Sequence, residues 1–78
     1  MAKQMDDDEE IATMRANFRA LRQARGWTIE DLSKISRISE KVLADIEEGR
    51  DFKIDYLLRL CMLYGIKPAK IFAEITVP

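Results

Sequence analysis

The 78-residue sequence contains no histidine, a single cysteine, three glycines and two prolines. Histidine is the side chain most often used as a general base or metal ligand near neutral pH. One cysteine cannot form a disulfide within the chain. Glycine-rich phosphate loops and the nucleophile elbow of hydrolases are absent too. We therefore expect no enzyme, no metal centre and no cofactor, and the lone Cys61 suits the reducing cytoplasm.

Long apolar segments are also missing. The most apolar stretch, residues 54–64, is interrupted by Arg59, so no run of about 18 apolar residues is available to span a membrane. The acidic N-terminus does not resemble a signal peptide. The apolar content of 47% is typical of a folded globular protein. A chain this short forms one domain that buries only about 60% of its unfolded surface.

Charge is unevenly distributed along the chain. Residues 1–10 carry −4, residues 11–37 carry +4, residues 38–51 carry −3 and residues 52–78 carry +2. Without the first ten residues the chain is +3, so its net charge of −1 argues only weakly against an anionic partner. It still falls short of the strong basicity of many nucleic-acid-binding domains.

The apolar spacing predicts an all-α fold, a compact bundle of five helices. A long first helix is indicated by a stripe at spacings of 3, 4 and 3, formed by Ile11, Met14, Phe18 and Leu21. Acidic residues 6–10 stand where negative charge favours a helix N-terminus, and Gly26 is a natural stop. Pro68 suits the first turn of a short fifth helix at 68–75. We divide the chain into an acidic extension or helix start (1–10), the domain (11–73) and a tail (74–78).

The middle of the chain predicts a helix-turn-helix. A second helix follows Thr28, a good N-cap, and ends near Ser36. After a turn of about three residues, Ser39 opens a third helix that ends at Gly49. Ser33 is small where the two helices are expected to cross closely. The positions expected to face the core are Ile29, Leu32, Ile35, Ile38, Leu43 and Ile46.

The segment "LRQARGWTIEDLSKISRISEKVLADIEEG" resembles the phage repressor/Cro-type helix-turn-helix, also called the xenobiotic-response-element family. The likeness runs from about Phe18 to Phe72 and includes "LLRLCMLYGI", where the family places its fourth helix. It implies a lambda-repressor-like DNA-binding domain. The implied function is that of a sequence-specific transcriptional regulator, a homodimer that reads double-stranded DNA through the helix 39–48.

The resemblance also implies roles for individual residues. An arginine on the first helix, here Arg22, would pair with a glutamate near the end of the third, here Glu47. Arg15 and Arg19 share a face of the first helix with Arg22, and we expect their side chains to be solvated. The outward residues of the third helix, implied to face the bases, are Glu40, Lys41, Val42, Ala44 and Asp45. Candidate phosphate contacts at the starts and flanks of helices two and three are Thr28, Lys34, Arg37, Ser39, Arg50 and Lys53.

Assembly is predicted from the tail. Ile75 and Val77 are apolar side chains that the end of so small a monomer does not need for its core. We expect them to meet their symmetry mates in a homodimer with a self-complementary contact.

Two departures from the family keep a rival function open. From Ser39 to Glu48 the third helix has four acids and one base, although carboxylates can accept from cytosine and Lys41 can donate to guanine. Arg37 stands where the family often has a left-handed glycine, so either the turn is altered or the arginine costs about 1–2 kcal/mol. The rival is an antitoxin- or adaptor-like interaction module without DNA readout, binding a protein partner through this acidic helix and the apolar tail.

Overall fold

In a computed structural model, residues 2–48 and 53–73 are described, with the backbone alone for residues 2–8. Within these ranges the chain forms four α-helices and no strand, which confirms the all-α prediction. The elements are α1 (Ala2–Ala24), α2 (Ile29–Ser36), α3 (Glu40–Glu48), α4 (Ile54–Tyr64) and a 3-10 turn (Pro68–Lys70).

The prediction of a fifth α-helix is wrong for the described residues. Pro68–Lys70 form a single 3-10 turn, and residues 74 and 75 of the expected helix lie outside the described part. The physical reason is a tertiary contact. The side-chain amide of Asn17 donates to the carbonyls of Ile71 at 2.7 Å and Ala73 at 2.8 Å. These hydrogen bonds satisfy carbonyls that a continuing helix would otherwise use internally.

The first helix begins four residues earlier than the acidic run. It starts at Ala2, and its first turn contains no acidic residue. The acids of residues 6–10 therefore lie in later turns, where the helix dipole contributes little, because its effect fades within the first turn. The other end matches the prediction. Gly26 lies just beyond the helix with a φ of 71°, the left-handed conformation that glycine adopts at little cost.

The core lies where the four helices and the 3-10 turn meet. Its buried residues are Met14, Phe18, Leu32, Ile38, Leu43, Ile46, Leu57, Leu60, Cys61, Tyr64 and Ile71. Trp27 and Phe72 pack against this cluster while remaining partly exposed. The expectation that Ile35 is buried is wrong, because its side chain is 46% exposed. Met62 and Leu63 of α4 line the same groove as Ile35 without closing over it.

Candidate nucleic-acid interface

The turn between α2 and α3 has three residues, and each has a different structural role. Arg37 ends α2 in the left-handed conformation, with φ 64° and ψ 28°, and its N–H donates to Ser33 O at 2.8 Å. Ile38 then enters the core with 1% of its surface exposed. Ser39 begins α3 by accepting the N–H of Val42 on its hydroxyl at 3.2 Å. This cap satisfies one of the free donors at the start of α3.

Side chains hold the same turn from both sides. The Ser33 hydroxyl donates to Ile38 O at 2.6 Å, and the Ile38 N–H donates to the Ser36 hydroxyl at 3.2 Å. Arg59 of α4 donates to Ser36 O at 3.0 Å. Ser33 is therefore more than a small residue at a helix crossing, because its hydroxyl fixes the geometry between α2 and α3. The sequence pattern indicated the size of this residue but not its hydrogen bond.

Arg37 keeps the left-handed conformation in which the family often has glycine. It is the one non-glycine residue with positive φ in the described chain. Of the two alternatives that the sequence left open, the unaltered turn with a strained arginine is the one observed. The strain costs about 1–2 kcal/mol. The exposed Arg37 lies three residues before the start of α3.

Arg22 and Glu47 form a bidentate ion pair between α1 and the end of α3. Arg22 Nε donates to Glu47 Oε2 at 2.7 Å and Nη2 donates to Oε1 at 3.0 Å. Arg22 Nη1 also donates to the carbonyl of Trp27 at 2.8 Å. Only 7% of the Glu47 side chain is exposed. The hydrogen bond to Glu47 raises the pKa of Arg22 above its ordinary value, so the guanidinium stays charged.

Two further arginines of α1 lie over the C-terminus of α3. Arg15 Nη1 donates to Glu48 O at 2.9 Å, and Arg19 Nη2 lies 3.5 Å from Glu47 O. Arg19 Nε is also 3.8 Å from the Glu47 carboxylate. The expectation that Arg15 and Arg19 are merely solvated is therefore wrong. Positive charge at a helix C-terminus complements its dipole and its unsatisfied carbonyls.

Of the five residues of α3 expected to face the bases, only two are exposed. Glu40 and Lys41 are exposed, with 85% of the Lys41 side chain open to solvent. Ala44 is half-buried. Val42, expected to point outward, is partly buried and packs against the core. Asp45 has only 19% of its side chain exposed and accepts from Lys41 Nζ at 3.2 Å.

Asp45 and Glu47, two of the four acidic side chains of α3, each have a basic partner. Glu47 points inward and is neutralised by Arg22. Asp45 is neutralised by Lys41, one turn earlier on the same helix. Glu40 is exposed and makes no ion pair with another described residue. With Arg22 counted against Glu47, the net charge of residues 39–48 changes from −3 to −2, because Lys41 is already included in that count.

The candidate phosphate contacts differ in how available they are. Arg37, Ser39 and Lys53 are exposed, and Lys53 directly precedes α4. Lys34 is 74% exposed and lies 3.6 Å from the carboxylate of Glu30. Arg50, expected in this set, lies outside the described residues, as do Ile75 and Val77 of the expected dimer contact.

Thr28 is already engaged by a capping box. Its hydroxyl accepts the N–H of Asp31 at 3.0 Å, and its own N–H donates to Asp31 Oδ2 at 3.0 Å. The Thr28 N–H, which lowers the pKa of the Asp31 carboxyl, is thus not free to bind a phosphate. Glu30 and Asp31 also place two carboxylates in the first turn of α2, where a phosphate would be repelled.

Two positions that sequence reasoning missed help to hold the site in place. Asn17 is only 7% exposed and connects α1 to the segment after the 3-10 turn. Its position three residues after Met14, on the apolar stripe of α1, was the available signal of a buried polar group. Arg25 lies 5.4 Å from the ring centres of both Trp27 and Tyr64. This cation–π contact covers the edge of the core beside α2.

Other kinds of site find no support in the described part of the chain. No described helix has the length and apolarity needed to cross a membrane. Across the described ranges, acidic side chains and the cysteine do not form a group of three with the proximity of metal ligands.

Comparison with known proteins identifies one family. A helix-turn-helix family model, of the phage repressor/Cro type, matches residues 18–71, more than half of the chain. Comparison with curated proteins and with solved structures finds no match. The matched range runs from the buried Phe18 to the buried Ile71, and so covers the whole helix-turn-helix and α4.

Proposed function

This chain belongs to the phage repressor/Cro-type helix-turn-helix family, and on that premise we propose that it is a sequence-specific DNA-binding regulator of the repressor type. The observation that carries the proposal is the inward orientation of Glu47. With this acid paired to Arg22 and Asp45 directed to Lys41, α3 can approach the major groove with less repulsion than its composition suggests. The three-residue turn also has the geometry that places a recognition helix.

Base readout rests on the first two turns of α3. Lys41, with 85% of its side chain exposed, reads guanine, whose O6 and N7 accept hydrogen bonds. Glu40 accepts from the amino group of cytosine, and the methyl group of Ala44 contacts thymine. Asp45 is a positioning residue in this proposal, because its carboxylate holds Lys41 from the same helix face.

Phosphate binding rests on the residues around the ends of α3. Arg37 and Ser39 flank its N-terminus, where backbone N–H groups and the helix dipole favour an anion. Lys34 and Lys53 supply further positive charge from α2 and from the residue before α4, and Arg50 belongs to the same proposed set. The commitment of the Thr28 N–H to Asp31 leaves only its hydroxyl proton for a phosphate.

Two copies would bind a pseudo-palindromic site. Repressors of this type insert their recognition helices into successive major grooves about 34–36 Å apart. We therefore propose a homodimer on DNA, with one α3 in each half-site.

The test is random-site selection followed by a salt titration of the selected duplex. We expect one pseudo-palindromic sequence to be enriched, and Lys41→Ala to relax the preference at one base pair by about 1–3 kcal/mol. Lys53→Ala should instead weaken all sequences alike and reduce the salt slope by about one unit. Lys67→Ala is the matched control, because Lys67 follows the opposite end of α4, about 16 Å along an 11-residue helix. Failure to enrich any sequence would contradict the proposal.

A second candidate function is favoured by the start of α2. Glu30 and Asp31 lie together there, and Glu40 is exposed at the start of α3. These acidic side chains would suit a basic protein partner, as in an interaction module without DNA readout. If the selection enriches no sequence while a lysine- and arginine-rich peptide binds and Glu30→Gln with Glu40→Gln abolishes that binding, the second candidate is the correct one.

A further inference from the structure

One face of α4 is apolar and exposed. Ile54, Leu58 and Met62 recur every four residues along the helix, so they lie above one another on the same side. Their exposed fractions are 58%, 40% and 81%. The opposite side of α4 is fully used by the core, which takes Leu57, Leu60, Cys61 and Tyr64. We call the three exposed side chains the α4 stripe.

The α4 stripe continues into α2. Ile35, 46% exposed, lies with Met62 and Leu63 in a shallow groove of about 320 Å³, which Ser36 and Arg59 complete. Four large apolar side chains next to one another form a contiguous patch rather than the scattered exposure usual on a monomer. Patches of this kind mark interaction surfaces.

We propose that the α4 stripe is the contact surface for a second copy of this chain, with the two α4 helices antiparallel. A two-fold axis beside Leu58 would place the two Leu58 side chains against each other. Ile54 of each copy then lies level with Met62 of the other, four residues from the centre in the opposite direction. Each Ile54 thereby reaches the groove beside Met62 and Ile35, so the surface is complementary to itself.

The charges beside the stripe favour this orientation. Asp55 and Arg59 lie one turn apart on α4, and neither forms an ion pair with another described residue. Arg59 uses an N–H for the Ser36 carbonyl, and a guanidinium has five N–H donors in all. In an antiparallel pair Asp55 of each copy lies close to Arg59 of the other, which gives two ion pairs. A parallel pair would instead set Asp55 level with Asp55 and Arg59 level with Arg59, which repel.

This contact uses no residue of α3, and it does not depend on the proposed function. The first measurement is sedimentation equilibrium without DNA, in which we expect a dimer of the 9.0 kDa chain. Met62→Glu should raise the dimer dissociation constant at least about 100-fold, because each copy would place a charge in the apolar contact. Met62 is 81% exposed, so this variant keeps its fold, which a thermal melt would verify. Ala12→Glu makes the same charge change on an exposed position of α1 and should leave the dimer intact.

A charge exchange tests the orientation. Asp55→Arg and Arg59→Asp should each weaken the dimer about 10-fold, because each places like charges together. An equimolar mixture of the two variants should associate as strongly as the wild type, since the heterodimer regains two opposite-charge pairs. A mixture no stronger than its components would overturn the antiparallel contact.

Two other outcomes would also overturn the proposal. One is a wild type that stays monomeric at about 1 mM, near the weak limit of measurable association. The other is a monomer that begins to associate only after residues 74–78 are removed, which would identify the tail as the occupant of the stripe. Because none of these experiments contains DNA, their failure is distinguishable from failure of the DNA proposal.

Discussion

The carboxylate of Glu47 accepts hydrogen bonds of 2.7 and 3.0 Å from the guanidinium of Arg22, which lies 25 residues earlier in the chain. This contact connects the last turn of α1 to the end of α3, and Arg22 also donates to the carbonyl of Trp27 before α2. One guanidinium of α1 therefore contacts both the end of the candidate reading helix and the residue that precedes the α2 cap. Glu47 thus helps to position the helix, and its carboxylate does not face a polyanion.

Removing one side of this pair should be costly. Arg22→Ala would leave the Glu47 carboxylate buried without its main partner, which typically costs about 3–5 kcal/mol. A domain of this size has only about 5–10 kcal/mol of stability, so the variant should unfold near ambient temperature in a thermal melt followed by circular dichroism.

Arg19→Ala is the matched control for the Arg22 variant. Arg19 is 51% exposed and its Nε is 3.8 Å from Glu47, so its loss should cost less than about 1 kcal/mol. If the two variants melt within a few degrees of each other, the bidentate pair does not carry the stability assigned to it.

The helix-turn-helix was predictable because several local signals coincide there. The Thr28 capping box and the buried Ile38, Leu43 and Ile46 all follow from residue type and spacing. The C-terminal end was not predictable in the same way. Residues 68–75 have the composition of a helix, but Asn17, more than fifty positions earlier, binds the carbonyls of Ile71 and Ala73.

In the candidate site, too, the features set by local sequence were predictable and those set by tertiary contacts were less so. Leu43 and Ile46 of α3 are buried as the periodicity predicted, whereas Val42, expected to point outward, packs against the core. The pairing of Glu47 with Arg22 was implied by the family resemblance and is observed, but the contacts of Arg15 and Arg19 with the end of α3 arise from tertiary packing and were not expected. A count of acids along α3 therefore overestimates the negative charge at its surface.

Asn17 should control the C-terminal segment. Asn17→Ala would remove both donors from the carbonyls of Ile71 and Ala73, and an unsatisfied buried acceptor costs about 1–3 kcal/mol. We expect a lower melting temperature and faster amide hydrogen exchange at residues 70–73 than in the wild type.

Asn17→Asp sharpens the Asn17 prediction, because it has nearly the same shape but presents carboxylate oxygens to the two carbonyls. It should be less stable than Asn17→Ala at pH 7, and should recover part of the loss near pH 4, where a protonated carboxyl regains one donor. Equal stability of Asn17→Asp and wild type at pH 7 would show that the amide hydrogen bonds are absent in solution.

Tyr64 should make the fold sensitive to alkali. Burial, with the nearby charge of Glu47 as a second cause, raises the pKa of Tyr64 to about 12, against about 10 in an unfolded chain. Between these values the unfolded state has lost a proton that the folded state retains. The stabilisation is therefore complete below about pH 10 and is lost as the pH rises towards 12.

Tyr64→Phe should remove this part of the alkaline destabilisation. The Tyr64 hydroxyl is buried and has no hydrogen-bond partner among the described residues, so its removal should be neutral or stabilising at pH 8. Urea titrations at pH 8, 9.5 and 11 would measure both effects, with Tyr56→Phe as the control. A Tyr64→Phe variant that is clearly less stable at pH 8 would mean that the hydroxyl has a partner.

Substitutions of Arg37 should affect the stability of the fold and the binding of DNA in different ways. Arg37→Gly removes about 1–2 kcal/mol of left-handed strain and loses about 0.5–1 kcal/mol of backbone entropy. The net gain of roughly 0.5–1 kcal/mol should raise the melting temperature by several degrees, since 1 kcal/mol corresponds to about 4–8 °C for a domain of this size. Arg37→Ala removes the same charge but keeps the Cβ and its strain, so it should melt close to the wild type.

If Arg37 binds a phosphate, both variants should reduce the salt dependence of DNA binding by about one unit, although only the glycine variant is stabilised. A glycine variant less stable than the alanine variant would show that residue 37 does not adopt the left-handed conformation in solution.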